Sequence, residues 1–459
     1  MERKNAWAAY AGDDGRVEAF AKAYCDFINN GKTERECVAY GEKLAKAHGF
    51  EDLNAVIREG KKLEAGARVY VNWMGKSFML FVLGEKPLEE GMNILGAHID
   101  SPRIDVKQNP LYEDTDLAYL DTHYYGGIKK YQWVAMPLAL HGVIIKKNGE
   151  KVLVNIGEDE NDPVFCISDL LIHLAQEQMA KNAKDVVEGE ALNLIVGGRP
   201  LAGEEKDAVK ANVLKLLADK YGVEEEDFLS AELEIVPAGK ARDMGFDRSM
   251  ILGYGHDDRV CAYPSMMAVL DYEGTPDYTL CCIITDKEEI GSVGATGMAS
   301  HYLENTVAEL YACTADYCEL AVRRCLRNSR MLSSDVSAGY DPNFASAFEK
   351  KNSAFLGRGI CFNKFTGSRG KSGSNDADAE YVAKIRRVMD EGGVHFQTAE
   401  LGRVDVGGGG TIAYILALYG MSVIDCGVPV LSMHSPWEAT SKADIYEAYR
   451  GYRSFLERA

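Results

Sequence analysis

The stretch that most constrains this chain is the apolar run Tyr278-Thr-Leu-Cys-Cys-Ile-Ile284, followed at once by Thr285-Asp-Lys-Glu-Glu-Ile-Gly291. A run without polar alternation reads as a strand buried on both faces, as in a mostly parallel sheet covered by helices. Met92–Ala97 and Val423–Val430 have the same texture. Glu288 and Glu289 then fall just past the carboxyl end of a strand, where open α/β sheets place their ligands. A lone Glu-Glu pair is ordinarily a solvated turn. Adjacent carboxylates also repel, so both stay ionised only beside cations or water. What the rest of the chain brings to the same place decides between these readings.

Taken in order, the chain starts with two helices. Ala19–Ile28 is amphipathic and stops at Asn30-Gly31, and Thr33-Glu-Arg-Glu36 is a capping box opening a helix that closes near His48-Gly49. Arg68–Trp73 and Ser77–Leu83 read as strands around Gly75-Lys76, and Met92–Ala97 leads straight into His98-Ile-Asp100-Ser-Pro102. Between residues 103 and 243 the texture changes. Leu138–Lys146 and Lys151–Ile156 read as an antiparallel pair around Asn148-Gly149, Glu204–Asp227 is polar and helical, and no βαβ pattern is present. After Asp243 the α/β pattern resumes and continues to the amphipathic segment Lys442–Leu456. The expected organisation is an α/β domain, residues 1–102 and 244–459, interrupted by a mainly β domain at 103–243. Its sheet should be mostly parallel with helices on both faces.

At 459 residues the chain is long enough for two or three domains. A formal net charge of −19 argues against a nucleic-acid partner and an anionic membrane surface. The first residues lack an apolar secretory core, and no apolar run approaches the roughly 18 residues that span a bilayer. Eleven cysteines, an odd number with no C-x-x-C, fit free thiols in a reducing cytoplasm better than a disulfide framework.

The residues able to carry chemistry are weak one by one. His98 could be a loop histidine, Asp257-Asp258-Arg259 an ion-paired turn, Asp335 a helix cap and His434-Ser-Pro436 a structural turn. Jointly they differ, because each lies where a strand-like run ends or a helix begins. Imidazole and carboxylate are the donors that a borderline divalent ion takes. His98, His434, Asp257, Glu289 and Asp335 suit two metals if one carboxylate bridges. Two such ions, roughly 3.5–4 Å apart, activate a shared water and polarise a carbonyl. Glu288 would move the proton from that water to a leaving amine.

The motifs Ala97-His-Ile-Asp-Ser-Pro102, Asp257-Asp-Arg259, Asp286-Lys-Glu-Glu-Ile-Gly291, Ser333-Ser-Asp335, Gly407-Gly-Gly-Gly-Thr-Ile412 and Met433-His-Ser435 resemble those of the aspartyl aminopeptidase (M18) family of metallo-aminopeptidases. The resemblance runs in order from about residue 15 to the C-terminus, and Tyr124–Trp133 and Phe365–Lys371 bring it closest to the bacterial branch. It implies metal ligands His98, Asp257, Glu289, Asp335 and His434, with Asp257 bridging, His98 and Asp335 on one ion and Glu289 and His434 on the other. It makes Glu288 the general base, Asp100 the residue that orients His98, and Lys364 a substrate contact. It also implies two divalent ions, zinc first and cobalt or manganese as alternatives. The expected assembly is a dodecamer built from dimers through the inserted domain, with His173 reaching a neighbour's site. His173 on an apolar helix flank is equally a core or interface histidine.

Peptide hydrolysis from the N-terminus follows, with Lys364, Arg369 and Lys371 as the positive charge for an acidic N-terminal residue, or a neutral or basic preference as the alternative. Two other readings compete. Gly367-Ser-Arg-Gly-Lys371-Ser372 looks like a phosphate-binding loop, but Phe occupies position 365 and the spacing fails. A metal-free scaffold would need an unseen cause, since all ligand types and the base are present.

Overall fold

The computed structural model describes residues 4–459. Those residues form two compact units: one made of the segment ending at Asp100, Ala241–Met433 and Glu438–Ala459, the other of Ser101–Lys240 with His434–Trp437.

The first unit is built on a nine-stranded sheet in the order Glu51–Asp52, Arg68–Trp73, Ser77–Val82, Thr279–Thr285, Met92–His98, Arg330–Ser334, Ser422–Gly427, Ile360–Asn363 and Phe396–Thr398. The four strands from Thr279–Thr285 to Ser422–Gly427 run parallel, as the unbroken apolar runs require. Alternate side chains of one strand face opposite layers. Cys282 and Ile284 pack with the helices Gly15–Asn30, His256–Leu270, Ala379–Glu391 and Lys442–Arg458. Cys281 and Ile283 pack with Tyr302–Thr314 and Glu319–Asn328 on the other face. All four are at most 1% exposed, and each isoleucine contributes on the order of 1.5–3 kcal/mol by leaving water. The fold is thus mixed α/β with helices on both faces.

Local signals explain the element ends. Thr33 accepts from the Glu36 N–H while Glu36 Oε2 accepts from the Thr33 N–H at 3.1 Å, a complete capping box opening Glu34–Ala47. Arg68–Trp73 and Ser77–Val82 form the expected hairpin. The helix His256–Leu270 holds Pro264 in its interior and is buried along almost its whole length, so its packing between sheet and outer helices outweighs the proline's poor propensity.

One expectation changes. Val423–Val430 divides into Ser422–Gly427 and Pro429–Leu431, and the second piece joins a separate five-stranded sheet, Arg242–Met244, Met250–Gly253, Glu438–Ser441, Pro429–Leu431 and Ser337–Ala338. That sheet has no signature in sequence because its strands are two to four residues long.

The second unit is a six-stranded antiparallel sheet in the order Lys151–Ile156, Leu138–Ile145, Ala231–Pro237, Arg103–Asp114, Leu117–Tyr125 and Leu194–Gly197. The polar stretch at 204–227 supplies the helix Ala208–Tyr221 and a short 3-10 turn, Glu225–Ser230. No described helix is long and apolar enough to cross a membrane.

Candidate metal centre

Strand register brings the motifs together. His98, the last residue of its strand, sits in register with Thr285, which leads into the Glu-Glu turn. Ser333 pairs with Gly96, so Asp335 leaves its strand at the same edge. Gly427 lies against this exit: a Cβ there would come within 1.9 Å of the Asp335 carbonyl oxygen. Lys287 takes a left-handed φ of 68° and turns the chain back, placing Glu288 and Glu289 in a 3-10 turn. Asp257 and Asp258 open the buried helix His256–Leu270 with non-helical dihedrals.

The centre of the cluster is His98, 1% exposed. Its Nδ1 lies 3.0 Å from the Asp100 carbonyl oxygen and 3.3 Å from Asp100 Oδ1. Its Nε2 lies 3.2 Å from Asp257 Oδ1, 3.8 Å from Glu288 Oε2 and 3.9 Å from Asp335 Oδ1. Asp100 does more than touch the imidazole. Its Oδ1 and Oδ2 accept the backbone N–H groups of Glu288 and Glu289, each at 3.1 Å. One buried carboxylate therefore fixes both the histidine and the turn carrying the two glutamates. Below them, Glu438 Oε2 accepts the Asp257 N–H at 3.1 Å, and Asp258 Oδ2 accepts the His98 N–H at 3.3 Å.

Ligand atoms gather in two groups, His98 with Asp257 and Glu289, and His98 with Asp258 and Asp335, all within 4.8 Å of one another inside each group. The electrostatics call for a cation. Burial pushes the carboxyl groups of Asp335 and Asp258 well above their ordinary range, and the charges of Glu288 on Asp335 and of Asp257 on Asp258 add to it. Burial works against the charged form of His98. Hydrogen bonds to Asp100 and Asp257 and the charge of Glu288 outweigh it, and the imidazole is raised well above its usual value. Around His98 Nε2 the nearest charged groups are carboxylates, and Asp258 Oδ1 is buried without a hydrogen-bond partner. Imidazole nitrogen and carboxylate oxygens, buried and lacking donors, are what zinc takes as ligands, so the residues present fit it.

The three other expected residues have these surroundings. His434 belongs to the second unit, with φ 64° and its Nδ1 2.9 Å from the Gly127 carbonyl oxygen. A proton on Nδ1 leaves the Nε2 lone pair as the donor face of that ring. Lys364 is about half exposed and ion-paired with Asp376, whose other oxygen takes Lys371 Nζ at 2.9 Å. His173 sits in a one-turn 3-10 segment, Ile172–Leu174, with Leu170, Leu171, Ile172 and Leu174 all exposed, so the core alternative for this histidine is excluded by its surroundings.

Sequence reasoning passed over Asp258 and Glu438. Asp258 was visible as the second member of the Asp-Asp pair. Glu438 carries no motif, and only the packing of its short strand against Met250–Gly253 brings it under Asp257. Arg259 donates to the carbonyl oxygens of Ile99 and Lys32.

Known proteins resemble the chain over nearly its whole length. The family model described as "Aminopeptidase I zinc metalloprotease (M18)" matches residues 27–456. A probable M18 family aminopeptidase 1 of Clostridium acetobutylicum is 59% identical over 99% of this chain and 98% of its own length. A crystal structure of aminopeptidase I from the same organism superposes with a TM-score of 0.92 at 56% identity, covering 100% of this chain and 99% of the other. The crystal structure of the M18 aminopeptidase from Thermotoga maritima gives 0.95 at 43% identity, with full coverage of both chains. With a buried His-carboxylate cluster at the strand ends and these relatives over its whole length, the chain belongs to the M18 family of zinc metallo-aminopeptidases, enzymes that hydrolyse peptides.

Proposed function

We propose a two-metal aminopeptidase in which His98 and Asp335 would hold one zinc ion, Glu289 and His434 the other, and Asp257 would serve both. The observation that carries this reading is the single imidazole of His98, whose Nε2 faces Asp257, Glu288 and Asp335 while Asp100 holds its Nδ1 and both glutamate N–H groups. Asp258 has a carboxylate oxygen within 4.8 Å of ligand atoms of His98 and Asp335 and would be the alternative to Asp257.

Zinc, when bound, supplies Lewis acidity that polarises the scissile carbonyl and makes water acidic enough to attack near neutral pH. Glu288 takes the proton from the attacking water and returns it to the leaving amine. Its carboxylate is only 15% exposed, so that proton is shielded from bulk solvent. Asp100 acts through the backbone, keeping Glu288 and Glu289 at fixed offsets from His98.

Peptides are the substrates. The finer preference we propose is for an acidic N-terminal residue. Lys364 and Lys371 share one carboxylate, that of Asp376, so the loop they sit on keeps a net positive charge, with Arg369 adding to it. A dodecamer is described for the S. cerevisiae mApe1 protein, which has this fold. We assign the same assembly to this chain, built from dimers through the inserted unit, with His173 reaching a neighbouring site. The exposed apolar run around His173 supports an interface there. Eleven free cysteines support a reducing, cytoplasmic setting.

The testing experiment is Glu288→Gln with zinc content measured in parallel. Zinc stays bound and turnover falls by a factor of about 100 or more. A variant within about tenfold of the wild type, roughly 1.4 kcal/mol of barrier, would remove Glu288 from the base role.

A further inference from the structure

The main sheet has a second edge. Thr279–Thr285 and Arg330–Ser334 both run parallel to the strand between them, Met92–His98, so Tyr278 and Arg330 emerge together at the edge where these strands begin. At about 3.3 Å per residue, the seven residues of Thr279–Thr285 separate this edge from the zinc-ligand cluster by about 20 Å.

Cations collect here. The Arg330 guanidinium lies 4.1 Å from the centroid of the Tyr278 ring, and Lys86 Nζ lies 3.9 Å from it. Lys384, on the helix Ala379–Glu391, is half-buried and near enough for the charge of Arg330 to act on it. Burial and then the charge of Arg330, with Arg387 adding, push its ammonium below its ordinary value. Arg330 and Lys86 likewise hold the Tyr278 hydroxyl below its usual value.

The carboxylates that would neutralise such a group are missing or remote. Asp277 reaches only Lys86, at 3.8 Å, and is itself 82% exposed. Arg387 pairs with Glu391 at 3.9 Å. Among the described residues, Arg330 and Lys384 have no carboxylate partner. In a chain of net charge −19, half-buried cations without a carboxylate partner are held against repulsion.

We propose that Lys86, Tyr278, Arg330 and Lys384 form a binding site for a phosphate group, separate from the zinc centre. A guanidinium fork, an ammonium group and a phenolic O–H at a sheet edge, with a second ammonium on a neighbouring helix, match an oxyanion with several acceptor oxygens. The group could be free inorganic phosphate or the phosphoryl end of a small phosphomonoester, and the two share the same donors.

The test is calorimetric titration of the zinc-loaded full chain with inorganic phosphate and, separately, with phosphoserine, in chloride buffer of constant ionic strength. Saturable binding is expected, weakened at least tenfold in Lys384→Met and in Lys86→Met. Tighter binding of phosphoserine than of phosphate identifies the ester as the ligand form, and the reverse identifies the free ion. Affinities unchanged in both variants would mean that phosphate binds at the zinc centre or elsewhere, and would overturn the proposal, as would the absence of saturable binding by the wild type. A second readout covers a poorly folding variant. Lys384→Glu supplies a built-in carboxylate, so its thermal midpoint in phosphate-free buffer should rise above the wild type and no longer respond to phosphate. A lower midpoint with the phosphate response retained overturns the site.

Discussion

Asp100 illustrates how much one buried side chain can organise. It touches His98 Nδ1 and accepts the N–H groups of both Glu288 and Glu289. Asp100→Asn replaces one acceptor oxygen with an amide donor, which cannot accept from an N–H and cannot favour the Nδ1–H tautomer of His98 in the same way. Zinc affinity should fall by about 10–100-fold, the usual effect of losing a residue that orients a ligand. Titration of the apo-enzyme with zinc checks this, and wild-type affinity would reduce Asp100 to a structural role. Asp425 offers a test at the same scale but away from the ligands. It is buried, accepts from Thr411 Oγ1 at 2.5 Å, and leaves Oδ2 without a partner. Burial raises its carboxyl to about 7 in the folded state. A folded value above the unfolded one favours the neutral acid in the native state. Its stabilisation is complete below the unfolded value of about 4 and lost as pH rises from there through about 7. Denaturant midpoints measured from pH 4 to 7 should therefore decline more steeply for the wild type than for Asp425→Asn.

Elements set where these residues can stand. The apolar runs made three of the four parallel strands legible, Arg330–Ser334 being the exception, and the capping box at Thr33 marked the start of Glu34–Ala47. Thr33→Ala removes the acceptor for the Glu36 N–H and should cost about 1 kcal/mol in chemical unfolding with zinc content unchanged. The short strands were not legible. Glu438–Ser441 and Met250–Gly253 pair only because the chain returns across the molecule, and local propensity in four residues cannot announce such a partner. Glu438 was missed for this reason. The apolar stretch around His173 failed in the opposite sense: its composition suggested a buried helix flank, yet the residues stand exposed on a single 3-10 turn. Apolar character alone does not distinguish a core from a surface awaiting a partner.

At the scale of the whole molecule, removing divalent ions should stop hydrolysis, and restoring zinc should recover it. An unaffected rate in the presence of chelator would contradict a metal centre. Sizing in solution should give a mass near twelve times the 50.5 kDa chain, and a species of one chain mass would refute the proposed assembly.

The sequence by itself determined the periodicities, most of the parallel strands and the polar residues at their ends, because these depend on local pattern and on which side chains can leave water. It also supplied the donor types of the cluster. Tertiary structure alone decided the register that places His98 level with Thr285, the hold of Asp100 on both glutamates, the approach of Asp258 to His98 and Asp335, and the uncompensated cations around Tyr278. These are contacts between residues distant along the chain. Their geometry is set by how sheet and helices pack, and no local pattern encodes it.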